Sequence, residues 1–106
     1  MITWDILYKS FKENPRDVST HPITKATPKR FYAYSDKEDI CIRSSALNKS
    51  SCRINKVRKL KPERFEAIYA VYNRRENGDK VSREAAGITR HTSYWYGVFY
   101  ALEHGN

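Results

Sequence analysis

The stretch Arg30-Phe31-Tyr32-Ala33-Tyr34-Ser35-Asp36-Lys37-Glu38-Asp39-Ile40-Cys41-Ile42-Arg43-Ser44 decides the fold class. From Arg30 onward the pattern has a period of two. Successive side chains of a strand point to opposite faces, and aromatic and β-branched residues suit that pleated surface. The spacing predicts strands over residues 31–35 and 40–44. Polar residues 36–39 form the turn between them, giving an antiparallel hairpin. If Ile40 and Ile42 face the core, Cys41 faces the other side of the sheet. Beyond the polar turn Asn48-Lys49-Ser50-Ser51, residues 51–57 offer Cys52, Ile54 and Val57 for a short third strand. A hairpin alone is only marginally stable, so this small sheet must lean on other elements.

The flanks supply those elements. Thr3 can cap a first helix, in which Trp4, Leu7, Tyr8 and Phe11 fall at i, i+3, i+4 and i+7. Asn14-Pro15 ends it. Residues 15–29, with Pro22 and Pro28, read as an extended connection without periodicity. It is either mobile or packed along the core through Val18 and Ile23. Lys61-Pro62-Glu63 begins a second helix, with the apolar stripe Phe65, Ile68, Tyr69 and Tyr72 and a stop at Asn77-Gly78. Ser82 caps a short helix through Ala86, broken by Gly87-Ile88-Thr89. Thr89 or Thr92 caps the last helix, whose apolar face is Tyr94, Trp95, Val98, Phe99 and Leu102. The predicted architecture is a single α+β domain over residues 1–106. A helix occupies 1–14, the extended connection 15–29, a two- or three-stranded antiparallel sheet 30–57, and a helical unit 61–104.

One modest core is what 106 residues can build. An aromatic share of 13% argues against disorder, because aromatics bring large burial areas. No apolar run approaches the ~20 residues needed to span a bilayer. The start Met1-Ile2-Thr3-Trp4-Asp5 lacks the basic-then-apolar order of a signal peptide, so a cytoplasmic protein is expected. Cys41 and Cys52 should then be free thiols. His21, His91 and His104 are scattered and build no zinc pattern, and neither metal nor cofactor is expected. Asp36, Glu38 and Asp39 read as turn residues rather than catalytic acids. The expectation is a protein that is not an enzyme, the remaining alternative being a small enzyme with a Cys or His nucleophile.

Twenty Lys+Arg against 12 Asp+Glu give a formal charge of +8, which favours an anionic partner. The densest basic run holds Arg53, Lys56, Arg58, Lys59, Lys61 and Arg64, with Arg74 and Arg75 further on. These are candidate phosphate contacts. The competing readings are a solvated linker for the run and helix-dipole pairing for Arg74 and Arg75. Residues 81–102 then place paired alanines, a glycine and a helix beginning Arg90-His91-Thr92-Ser93. This segment resembles the helix-turn-helix of DNA-binding proteins of phages and mobile elements. The resemblance implies base contacts from Arg83, Arg90, His91, Thr92 and Ser93 at the start of a recognition helix. In the usual arrangement the alanine precedes the turn glycine by about one helical turn. Here Ala86 adjoins Gly87, and an ordinary αα corner is the alternative. Tyr96 and Tyr100 lie on another side of the last helix, as stacking or partner contacts. The leading functional expectation is a non-enzymatic binder of nucleic acid, duplex DNA favoured, of regulator or excisionase type. The alternative is a small inhibitor or adaptor whose protein partner is a nucleic-acid enzyme, such as a host defence nuclease.

Overall fold

Thr3 starts the first helix as its spacing predicts: its hydroxyl oxygen accepts from the Ile6 amide at 3.2 Å. In the computed structural model, which describes residues 2–22, 27–45 and 56–104, this helix is α1 (Trp4–Glu13). Leu7 and Phe11 are fully buried along one face, and Trp4 and Tyr8 are partly covered. The chain continues through β1 (Arg16–Ser19), β2 (Arg30–Asp36), β3 (Asp39–Ser44) and β4 (Arg58–Leu60). A 3-10 turn at Pro62–Arg64 then leads into α2 (Phe65–Glu76), α3 (Ser82–Ile88) and α4 (Thr92–His104). The α+β class stands, with an N-terminal helix first.

The four strands form one antiparallel meander in the order β1-β2-β3-β4. The hairpin pairs Ala33 with Ile42 and Tyr34 with Cys41. Lys37 closes its tight turn in the left-handed region, at φ 56°. The Tyr8 hydroxyl donates to the Lys37 carbonyl, which ties α1 to that turn. Val18, Phe31, Ala33, Ile40, Ile42 and Leu60 are buried on the inner face, where α1 and α4 pack. Cys41 points to the opposite face, as the alternation predicts, and is a buried free thiol.

The strands outside the hairpin depart from the expected positions where they are described. Residues 16–19 lie inside the predicted extended connection, yet they pair with β2, Val18 standing opposite Phe31. The Thr20 amide prolongs that pairing by donating to the Lys29 carbonyl at 2.8 Å. Of the predicted strand over 51–57 only Lys56 and Val57 are described, and they stand outside any strand, while β4 begins at Arg58. Residues 51–55, with Cys52, Arg53 and Ile54, lie outside the described residues, as does Ile23.

The helical unit also differs in detail. Gly87 and Ile88 continue α3, and the break falls at Thr89 with extended backbone. Val81, not Ser82, holds the position before α3, and no side chain caps it there. Neither Thr89 nor Thr92 caps α4 as predicted. The first α4 bonds run from the Tyr94 and Trp95 amides to the His91 carbonyl, while the Thr89 hydroxyl oxygen accepts from the His91 amide at 3.0 Å. By contrast α2 ends as the Asn77-Gly78 signal implies, with Gly78 at φ 96°.

α4 is the central helix. Trp95, Tyr96, Val98, Phe99 and Ala101 are all buried, and Gly97 lies against the sheet. A methyl group on Gly97 would sit 2.8 Å from the Ser19 carbonyl oxygen and 2.9 Å from the Phe31 ring. Gly to Ala usually strengthens a helix by about 1 kcal/mol. At this position the sign should reverse. Gly97→Ala is expected to destabilise by about 1–3 kcal/mol, read from the midpoint of urea unfolding. Among the described residues no helix is long and apolar enough to cross a membrane.

Candidate functional site

Strand parity builds the site. Ile42 stands opposite Arg58, and Ile40 opposite Leu60, so Arg58 and Leu60 share the inner face of the sheet. Leu60 reaches the core, whereas Arg58 stays exposed at the sheet edge. Lys61 follows just before the 3-10 turn, and Arg64 ends it. The end of α3 and the link to α4 form the facing wall. Between them runs a groove of about 560 Å³, lined by Arg58, Lys59, Lys61, Arg64, Arg90 and His91, with Ala86, Gly87 and Trp95 as its small and apolar surface. No carboxylate stands among its described lining residues. Arg90 and His91 also line a second depression of about 410 Å³, which adds Lys29, Thr92 and Ser93. The positive end of the α4 dipole lies at this junction.

The cations are not equivalent. The Lys61 ammonium donates to Asp39 at 2.9 Å, and this hydrogen bond raises its pKa. Among the described residues, Arg58, Lys59, Arg64 and Arg90 form no ion pair. His91 is half-buried, and its pKa is lowered from 6.5 by burial, then by the Arg58 and Arg90 charges. Burial and the neighbouring cations thus disfavour the imidazolium form of His91.

Other predicted contacts fall elsewhere. Arg74 donates to both Glu84 oxygens at 2.8 Å and to Asp79 at 3.3 Å. Arg75 is buried over the Tyr96 ring at 4.5 Å, donating to Glu76 and to the His21 carbonyl. Arg75 is buried and serves the fold, Arg74 is half-exposed and held by two carboxylates, and neither lines the groove. Arg83 is exposed but stands with Glu76, Asp79 and Glu84 around a different hollow, away from the groove. Lys56 is exposed beside β4 and does not line the groove, and Arg53 lies outside the described residues.

The aromatic expectation also changes. Tyr96 is 7% exposed, covered by Arg75 and packed against Tyr72, so it offers no partner an anchor. Tyr100 is half-buried between the rings of His21 at 3.8 Å and His104 at 4.2 Å. His21 in turn pairs with Glu76 at 2.8 Å. Among the described residues no group of three or more His, Cys, Asp or Glu side chains is placed to hold a metal ion.

The helix-turn-helix reading is altered by packing. Burial of the middle of α4 leaves its two ends open: at the first, Ser93 and the preceding Arg90 are exposed and His91 and Thr92 half-buried, and at the last, Glu103 and His104 are exposed. A whole recognition helix cannot enter a groove of DNA from this position, though its tip can touch one. Lys29 is the site residue that sequence reasoning missed, since nothing in residues 15–29 marks it as neighbour to the last helix. The chain matches no protein-family model, no curated protein and no solved structure.

Proposed function

We propose that this protein binds nucleic acid, duplex DNA above all, by seating backbone phosphates in the basic groove, and that it acts as a binding protein rather than an enzyme. The observation that carries the reading is the convergence of Arg58, Lys59, Arg64 and Arg90 without an ion pair on a groove whose described lining has no carboxylate. Lys and Arg placed this way neutralise phosphates and release counterions, which supplies sequence-independent affinity. Arg90, just before α4, and Ser93, in its first turn, are both exposed, which supports a role for them at base edges. A small cytoplasmic regulator or excisionase-type protein of a phage or mobile element fits this reading.

Titration of a labelled blunt duplex by fluorescence anisotropy tests it. Arg64→Ala should weaken all sequences alike and reduce the slope of log K against log salt by about one. Arg74→Ala should leave the slope unchanged, because Glu84 already holds that guanidinium. Arg90→Ala should lose about 1–3 kcal/mol on a preferred sequence and little on random DNA. No binding to duplex at low salt would sink the reading and promote the protein-partner alternative.

Proton linkage gives a second test. A phosphate beside His91 favours the imidazolium that burial, then Arg58 and Arg90, disfavour. Binding should therefore take up a proton, and duplex affinity should rise as pH falls from about 7.5 to about 5.5. His91→Gln should flatten that profile. For folding the sign is opposite: the folded state holds His91 less protonated, so stability falls as pH drops below 6.5 and levels off beneath the lowered folded value.

A further inference from the structure

The helices cover one face of the sheet, and the other carries an aromatic and cationic diagonal. Tyr32 and Tyr34 project from β2 onto that outer face, both half-exposed. Tyr32 stands opposite Arg43, while Tyr34 stands opposite Cys41, which stands opposite Lys59. The two tyrosine rings are 5.9 Å apart. The Arg43 guanidinium lies 4.5 Å from the centre of the Tyr32 ring and 5.7 Å from that of Tyr34. Arg43 and Lys59 are exposed at the two ends of this diagonal. Asp17 borders it on β1, opposite Tyr32, and Asp36 borders it at the hairpin end. Asp39 is engaged by Lys61.

Lys59 joins this face to the groove. By register it belongs to the outer face beside Cys41, yet it also lines the groove around the sheet edge. A strand whose phosphates leave the groove past Lys59 meets Tyr34 and Tyr32 next. Bases in a duplex are already stacked on one another and present no open ring face. Unpaired bases do, and tyrosine rings and arginine planes on an open sheet stack with them whatever their sequence.

We propose that the sheet face away from the helices is a second nucleic-acid surface, on which Tyr32, Tyr34 and Arg43 stack unpaired bases, so that the preferred ligand is a duplex continuing into a single strand. This rests on the groove as the duplex site. The test compares a blunt duplex, the same duplex with a single-stranded extension of about ten nucleotides, and that extension alone. The parent protein should bind the extended duplex about tenfold or more tighter than the blunt one. Tyr32→Ala/Tyr34→Ala should lose that gain and keep blunt-duplex affinity; Arg43→Ala should lose part of it. A thermal melt of each variant checks that the sheet is intact. An extension that adds no affinity, or a double variant that folds and weakens both duplexes equally, overturns the sheet-face proposal and leaves the groove standing. Tyrosine-dependent binding of the single strand without any binding of the blunt duplex keeps the sheet face and overturns the groove as a duplex site.

Discussion

Phe65→Ala should lose about 3–5 kcal/mol of folding stability, a large part of what a domain of this size holds. Phe65 is only 7% exposed at the start of α2. Its ring meets Trp4 of α1 at 6.0 Å, Tyr69 at 5.4 Å, and Trp95 and Phe99 of α4 at 6.4 and 5.8 Å. Three helices therefore share this one side chain, and truncation leaves a hole bordered by rings too stiff to close it. Urea unfolding followed by Trp fluorescence reads the loss. A Phe65→Ala protein that unfolds at the parent's midpoint would show that the aromatic cluster does not hold the helices together.

The second large effect concerns the groove. Four cations without ion pairs should give a slope of log K against log salt of about −4 on blunt duplex DNA. Arg58→Ala/Arg64→Ala/Arg90→Ala removes three of them. Its slope should fall to about −1, with affinity reduced about 10²–10³-fold at 0.1 M salt. All three side chains are exposed, so the melting temperature should change little. An intact triple variant with the parent's slope would place the phosphate contacts elsewhere.

The parts of this fold that were legible are those whose own residues repeat. The hairpin shows its alternation over five residues on each side, and α1 and α2 show complete apolar stripes. β1 hides because Val18 is its only apolar residue. Its other inward position is Arg16, whose guanidinium lies over the Phe11 ring at 4.3 Å. β4 hides for a similar reason: two of its three residues are basic, and only Leu60 reaches the core. Gly87 reads as a breaker in sequence, yet it continues α3, where an added Cβ would meet nothing within 4 Å. The basic run is legible in sequence, and its described members Arg58, Lys59, Lys61 and Arg64 line one groove. Which arginines stay unpaired was not legible. Arg74 is tied by Glu84, ten residues away, and Arg75 by the His21 carbonyl, fifty-four away. Only the folded chain brings those partners together. For the same reason Tyr96 reads as a second aromatic face in sequence and lies beneath Arg75 in the structure.

The most direct measurement is an NMR titration that follows arginine Nε–Hε signals as blunt duplex DNA is added at low salt. The groove account predicts shifts for Arg58, Arg64 and Arg90, and unchanged signals for Arg74 and Arg75, which Glu84 and the His21 carbonyl hold. Shifts confined to Arg83 and its neighbours, with Arg58, Arg64 and Arg90 unmoved, would contradict it.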